Sequence, residues 1–109
     1  MDNELTPQQV ADLHGQEKIQ LIDVRRPDEH DAGRIAGDRH IELTELATQQ
    51  QSIDPDKPVV FYCRSGSRSA MATDAFRGAG YDAHNMTGGL LEWQAAGLPL
   101  DPEDGYVAD

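Results

Sequence analysis

The sequence predicts one α/β domain in which a parallel sheet carries helices on both faces. Two apolar strand patterns, Ile19–Val24 and Val59–Tyr62, are separated by segments with helical signals, and no repeat or linker divides the chain. Strands that alternate with helices form parallel sheets, because each helix returns the chain to the end of the sheet at which the previous strand began. The 109 residues suffice for one hydrophobic core. We expect a domain over residues 1–100, followed by an acidic C-terminal tail, residues 101–109, that is frayed or draped over the surface.

The composition argues against several classes of partner and cofactor. Twenty acidic residues against nine basic ones give a net charge of −11, which repels nucleic acid and anionic membranes, so we expect neither as a partner. No apolar run approaches the roughly 18 residues of a membrane span, and the acidic start lacks the apolar core of a secretory signal. One cysteine can form neither an intramolecular disulfide nor a cysteine-based zinc site. We expect a cytoplasmic protein without metal or cofactor; two lysines among so much acid would also suit a high-salt cytoplasm.

The first helix has an explicit start signal. Thr6 is placed as the N-cap, Pro7 occupies the first helical position, and Gln9 stands where a capping box requires Glu or Gln. Val10 and Leu13 supply its buried side. We expect this helix to end at Gly15.

Apolar spacing and turn residues predict the remaining elements. Val59–Tyr62 is apolar at every position, as in a central parallel strand that is buried on both faces. Apolar residues recur at helical spacing over Ser69–Ala79, and Gly80 follows as a helix-terminating glycine. The other predicted elements are strands at Ile19–Val24, His40–Ile41 and Tyr81–Met86, and short helices at Pro27–Ala32, Leu43–Ala47 and Leu90–Gln94.

The only cysteine lies where a strand meets a helix. Cys63 directly follows Val59–Tyr62, and the Gly- and Ser-rich loop that follows it leads into the next helix. Backbone N–H groups in such a loop, with the helix dipole behind them, bind anions and lower the pKa of a thiol. Ligands of parallel sheets bind at the carboxyl ends of the strands, where Asp23 and Arg25 also lie. We therefore expect Cys63 to be a nucleophile rather than a structural core thiol.

Two arginines add positive charge to this loop. Arg64 and Arg68 stand within six residues of each other in a strongly acidic chain. They would attract a small anion against the overall negative field. The alternative is that each forms a surface ion pair, which contributes about 0–1 kcal/mol.

These features together resemble the rhodanese (thiosulfate sulfurtransferase) family, specifically its single-domain members. The resemblance covers about Leu5–Leu98, and it implies a central parallel sheet of about five strands with flanking helices. One segment departs from the family pattern: Gly33–Asp38 reads Gly-Arg-Ile-Ala-Gly-Asp in place of Gly-His-Ile-Pro-Gly-Ala. The segments that carry the resemblance are Leu21–Arg25, Glu29–Ile35, the run from Val60 through the loop to Ser69, Gly80–Tyr81, and Gly88–Gly89 with Trp93.

The resemblance implies a reaction and a role for each residue of the loop. Cys63 would take a sulfane sulfur from thiosulfate or another donor as a persulfide, and would pass it to a thiophilic acceptor such as cyanide or a thiol. A sulfur-carrier or thioredoxin-like protein is a possible partner. Arg68, and secondarily Arg64, would hold the anionic donor, while Asp23 would steady the loop backbone, with Arg25 beside it. The residues whose N–H groups would surround the persulfide are Arg64, Ser65, Gly66, Ser67, Arg68 and Ser69.

The length of the loop distinguishes sulfur transfer from phosphatase or arsenate reductase activity. Four residues lie between Cys63 and Arg68, whereas relatives that act on phosphate or arsenate have five, which form a larger ring around a tetrahedral oxyanion. The spacing favours sulfur over a phosphatase or arsenate reductase. A non-catalytic redox or partner-binding module remains the alternative. His14, His30 and His40 show no partner pattern and are expected in turns or on the surface, whereas His84 is expected in the core.

Overall fold

A five-stranded parallel sheet forms the centre of the computed structural model, which describes residues 2–109. The strand order is β1-β5-β4-β2-β3, and every neighbouring pair is parallel. None of the helices in these residues is long and apolar enough to cross a bilayer. The elements are β1 (Glu4–Leu5), α1 (Pro7–Gly15), β2 (Gln20–Asp23), α2 (Pro27–Ala32), β3 (Arg39–His40), α3 (Leu46–Gln49) between the 3-10 turns Leu43–Glu45 and Gln50–Ser52, β4 (Val59–Tyr62), α4 (Ser67–Gly78), β5 (Ala83–Met86) and α5 (Gly89–Ala95).

The sheet separates two apolar cores. Phe61 and Cys63 face one core, where Phe76 of α4 packs edge-on against Phe61 with ring centroids 5.0 Å apart. Tyr62 faces the other core, together with Trp93 of α5. Successive side chains of a strand point to opposite faces, so β4 supplies both cores and is buried throughout. The predicted α/β class with helices on both faces is confirmed.

The predicted boundaries of the helices are confirmed where capping residues define them. The Thr6 hydroxyl accepts a hydrogen bond from Gln9 N–H at 3.2 Å, and the Gln9 side chain accepts one from Thr6 N–H at 2.9 Å. At the end of α4, Gly80 has a positive φ of 91°, which a glycine adopts without strain. Tyr81 N–H then bonds Phe76 O at 3.0 Å, which completes a Schellman cap.

Several elements differ from the sequence-based predictions. Strand β5, for example, begins at Ala83 rather than Tyr81, and β3 is Arg39–His40 rather than His40–Ile41. Glu4–Leu5 forms an edge strand that was not predicted. Two residues are too few to show the alternation of apolar and polar side chains that indicates a strand. Helix α4 begins at Ser67 rather than Ser69, because the left-handed Gly66, with φ of 102°, turns the chain into the helix earlier. Past α3, the polar run Gln50–Ser52 continues as a 3-10 turn.

Residues 101–109 are draped over the domain. Asp101 and Arg34 form an antiparallel bridge with N···O distances of 3.0 and 2.7 Å. Tyr106 N–H bonds Ala32 O at 3.0 Å. The backbone passes so close to Gly33 that a Cβ there would lie 2.5 Å from Tyr106 O. The segment is therefore seated on the end of α2.

Candidate active site

The Cys63 sulfur lies inside a ring of hydrogen-bond donors. Gly66 N–H points at Sγ from 3.1 Å, Ser69 N–H from 3.5 Å and the Ser69 hydroxyl from 3.3 Å. Cys63 has no exposed surface. Because Ser69 lies in the first turn of α4, the positive end of that helix also faces the sulfur. The arrangement is suited to a sulfur atom that carries negative charge.

Two opposing effects act on the Cys63 pKa. Burial raises it, because a thiolate loses solvation, while the hydrogen bonds from the Ser69 side chain and from backbone N–H groups of Ser69, Gly66 and Ser65 lower it. The hydrogen bonds prevail, and the pKa of Cys63 is lower than that of an ordinary thiol. Thiolate, rather than thiol, is the nucleophilic form.

Helix α5 holds the beginning of the loop from behind. Leu90 N–H bonds Cys63 O at 2.8 Å, and Leu91 N–H bonds Arg64 O at 3.1 Å. Gly89 makes this approach possible, because a Cβ there would lie 2.5 Å from both carbonyl oxygens. The two carbonyls therefore point toward α5 rather than toward Sγ. Gly88–Gly89 reads as a simple turn in the sequence, and its contact with the loop becomes visible only in the fold.

A second support reaches the loop from β5. Asn85 Nδ2 donates to Gly66 O at 3.3 Å, so this carbonyl too is occupied outside the ring. The same amide donates to Glu4 Oε1 of β1 at 3.1 Å. Neither Asn85 nor Glu4 was predicted as a site residue, because each lies far from the loop along the chain.

Arg68 forms an ion pair with a buried glutamate. Its two terminal nitrogens donate to Glu29 Oε1 and Oε2 at 2.7 and 2.9 Å, and Glu29 is 1% exposed. The hydrogen bond from Arg68 lowers the pKa of Glu29 to about 2, against the opposing effect of burial, and Arg26 N–H adds a further bond. The same pairing raises the pKa of Arg68. The side chain predicted to hold the donor is therefore also fixed to α2.

Arg64 lies beside a different carboxylate. One of its terminal nitrogens donates to Asp109 Oδ1 at 2.8 Å. The side chains are 35% and 97% exposed, so water reaches this pair. Arg26 donates to the main-chain oxygen of Asp109 at 3.3 Å.

Asp23 and Arg25 form a buried pair next to the loop. The Arg25 guanidinium donates to both Asp23 oxygens at distances from 2.7 to 3.1 Å, and to Gly33 O at 2.7 Å. The hydrogen bonds of Asp23 thus go to Arg25 and His30, and not to residues 64–69. The expectation that Asp23 steadies the loop backbone was wrong: a carboxylate two residues before a buried guanidinium pairs with it first.

The histidine prediction also needs correction at two positions. His30 Nδ1 lies 2.9 Å from Asp23 Oδ2, and its ring stacks on that of His40 with centroids 4.4 Å apart. His40 Nε2 lies 2.7 Å from Arg25 O. Both histidines belong to the polar cluster around Asp23 rather than to a free surface. His84 is fully buried, as predicted.

The same cluster offers three atoms that could ligate a metal. Oxygens of Asp23 and Asp38 and a nitrogen of His30 lie within 4.8 Å of one another. Arg25 already neutralises Asp23, and the Tyr62 hydroxyl donates to Asp38. A guanidinium in contact with the donor set opposes a second cation, so we assign no metal to it.

Replacing Gly89 with alanine should distort the loop. The new Cβ would clash with the carbonyls of Cys63 and Arg64, so we expect lower stability and slower alkylation of Cys63 by iodoacetamide. Gly97→Ala is the control, since Gly97 also has a positive φ, of 79°, but open space around it. The shared backbone strain costs about 1–2 kcal/mol. Equal urea unfolding curves and equal alkylation rates in the two variants would contradict the contact.

The Glu29–Arg68 pair should give stability a distinct pH dependence. The pKa of Glu29 is about 2 in the folded protein and 4.5 without interactions, so its contribution is present above pH 4.5 and is lost as the pH falls toward 2. We expect Glu29→Gln to remove a contribution on the order of 3 kcal/mol above that range. Urea unfolding from pH 2 to 7 measures it. Asp28→Asn, at an exposed neighbour, is the control; a gap between wild type and Glu29→Gln that does not narrow with falling pH would contradict the assignment.

Comparisons with known proteins place this fold and loop in one family. A sequence model of the rhodanese-like domain matches residues 6–96. The chain is 41% identical over 80 residues to uncharacterized protein YqhL of Bacillus subtilis, covering 72% of this chain and 64% of that protein. It is 40% identical over 87 residues to HTH-type transcriptional regulator Rv0324 of Mycobacterium tuberculosis, covering 77% of this chain and 38% of the regulator. The chain therefore spans less than two thirds of either relative.

Another relative matches over nearly its full length. A sulfurtransferase of Allochromatium vinosum is 33% identical over 106 residues, which are 96% of each chain. The crystal structure of a rhodanese-related protein from Thermoplasma volcanium superposes with a TM-score of 0.84 at 25% identity, covering 91% of this chain and 97% of that one. By its sequence match and its fold, the chain belongs to the rhodanese-like domain family.

Proposed function

We propose that this protein is a sulfurtransferase that moves a sulfane sulfur through a persulfide on Cys63. The observation that carries the proposal is the ring of donors at Sγ: three hydrogen bonds converge on the sulfur. The carbonyls of Cys63, Arg64 and Gly66 are all bonded elsewhere. The sulfurtransferase name of the full-length relative from A. vinosum supports the same activity.

The reaction has two displacement steps. The Cys63 thiolate attacks the outer sulfur of thiosulfate; a new S–S bond forms, the bond to the sulfonate breaks, and sulfite leaves with the electron pair. An acceptor nucleophile, such as cyanide or a thiolate, then attacks the outer sulfur of the persulfide. That S–S bond breaks, the acceptor keeps the sulfur, and the thiolate of Cys63 is restored. The N–H groups of the loop stabilise negative charge on the sulfur in both steps.

The setting of Arg68 supports sulfur rather than phosphate as the transferred group. A loop that surrounds a phosphate uses its arginine to bond two oxygens of the oxyanion. Here Glu29 accepts a hydrogen bond from each terminal nitrogen of Arg68 and balances its charge. The short spacing from Cys63 to Arg68 and this pairing both favour a single sulfur atom, rather than a tetrahedral oxyanion, inside the loop.

Cys63→Ser should abolish sulfur transfer. We expect wild-type protein to form thiocyanate from thiosulfate and cyanide, and to gain the mass of one sulfur atom after exposure to thiosulfate alone. The serine variant should do neither, because an alkoxide is not available at neutral pH. Intact-mass spectrometry and a thiocyanate assay measure the two outcomes.

The same samples distinguish the alternatives. Wild-type protein that never gains sulfur from thiosulfate, an organic persulfide or a cysteine desulfurase would contradict the proposal. A sulfenate or mixed disulfide on Cys63 without turnover would indicate a redox or partner-binding module. Hydrolysis of a phosphate ester would indicate a phosphatase.

Ser69→Ala should raise the pKa of Cys63. The variant removes the hydroxyl that lies 3.3 Å from Sγ while it keeps the backbone N–H. The pKa of Cys63 should rise in this variant, because the thiolate loses a side-chain hydrogen bond that stabilises it. The control is Ser65→Ala, since the Ser65 side chain is exposed and makes no hydrogen bond to Sγ. The pH dependence of alkylation by iodoacetamide gives both pKa values, and equal values in the two variants would contradict a role for the Ser69 hydroxyl.

A further inference from the structure

Both arginines of the loop are occupied by carboxylates of the protein itself. Arg68 is paired with Glu29, and Arg64 is paired with Asp109. An incoming anionic donor therefore meets a loop whose side-chain charges are already balanced. Each guanidinium keeps N–H donors that its carboxylate does not use, but the negative charge beside it weakens its attraction for an anionic donor.

The two pairs differ in how easily they can separate. Glu29 is 1% exposed and makes two short hydrogen bonds to Arg68, so separating the pair would leave a charge buried without a partner. Asp109 is 97% exposed and makes one hydrogen bond to Arg64 through its side chain. Once released, its carboxylate regains full hydration. Arg64 is thus the arginine that a donor can take over.

The position of Asp109 beside Arg64 is maintained by the rest of its segment. Tyr106 N–H donates a hydrogen bond to Ala32 O. A Cβ on Gly105 would lie 2.8 Å from the same oxygen, so the backbone of this segment packs directly against the end of α2. Arg26 also donates to the main chain of Asp109. Because the Asp109 carboxylate is tethered in this way, it competes with a free anion for Arg64 at a high effective concentration.

Arg64 keeps one donor without a hydrogen bond in its present position. Its Nε is buried and has no hydrogen-bond partner among residues 2–109. Asp109 bonds only a terminal nitrogen. An oxyanion with several oxygens can bond both kinds of nitrogen, whereas the present pair leaves Nε unsatisfied.

We propose that Asp109 is a specificity-determining residue that competes with anionic sulfur donors for Arg64. The inference rests on the proposed sulfurtransferase function. The competition penalises doubly charged thiosulfate more than a persulfide of a small uncharged thiol, which carries at most one charge. Asp109 thereby shifts the preference of the site toward donors of low charge.

Kinetics with two donors test the competition. In Asp109→Ala we expect the KM for thiosulfate to fall about two- to fivefold, the range that an exposed ion pair supports. We expect kcat to stay unchanged, the KM for the uncharged thiol's persulfide to change less, and the gain to shrink with added salt. The control is Asp104→Ala, which removes the same charge from the same segment but makes no ion pair within residues 2–109. An unchanged KM in Asp109→Ala, or an equal fall in both variants, would overturn the proposal.

Calorimetry tests the competition for Arg64 independently of sulfur transfer, because it measures the affinity for thiosulfate without turnover. Thiosulfate is titrated into Cys63→Ser and into Cys63→Ser with Asp109→Ala, neither of which can transfer sulfur. Tighter binding to the double variant supports the competition even where turnover fails, in which case the sulfurtransferase proposal alone is lost. Equal affinities, or no binding to either protein, would overturn the competition regardless of activity.

Discussion

The hydrogen bonds from α5 to the carbonyls of Cys63 and Arg64 are the contacts on which the site depends. A loop of this length has as many carbonyls as N–H groups, and the two repel and attract an anionic sulfur respectively. Only when the carbonyls are bound elsewhere can the N–H groups face Sγ without opposition. Leu90 and Leu91 supply those bonds, and Gly89 allows the helix to approach closely enough to make them.

Charge at the site is arranged in layers around this backbone ring. The innermost layer is made of N–H dipoles and the first turn of α4, neither of which carries a formal charge. The next layer contains Arg68 with buried Glu29. The outer layer contains Arg64 with exposed Asp109. In a chain with a net charge of −11, internal pairing keeps the arginines ordered, and the dipoles provide attraction that does not depend on the overall charge.

The sequence predicts the parts of the site that are local in the chain. Cys63, the glycine-rich loop and the following helix are contiguous, so their order alone indicates a thiol at a helix N-terminus. The partners of that loop are distant: Glu29 stands 39 positions from Arg68, and Asp109 stands 45 from Arg64. Their pairing follows from the tertiary fold, which no local pattern reveals. The Asp23 prediction was wrong for a different reason: Arg25 is only two residues away, but the sequence does not show that it is buried and therefore needs Asp23 as its partner.

The fold shows a similar division. Capping residues and apolar spacing predict α1, β4 and α4 because the relevant physics acts within a few residues. Strand β1 escapes prediction because it has two residues and depends on β5 for its hydrogen bonds. The pair Gly88–Gly89 does offer a signal: two glycines before a helix are typical of a close backbone approach. The sequence alone does not show that the approaching backbone is that of Cys63 and Arg64.

Strand β4 places Cys63 on the same face as Phe61, so the sulfur is also one of the buried residues of a packed core. In this position the thiol packs beside Ala72 and Phe76 of α4. Any atom that the thiol acquires is added at the margin of a close-packed interior, where it must fit as well as react. In the proposed reaction, reactivity and packing therefore depend on the same atom, and the core limits the size of the group that Cys63 can carry.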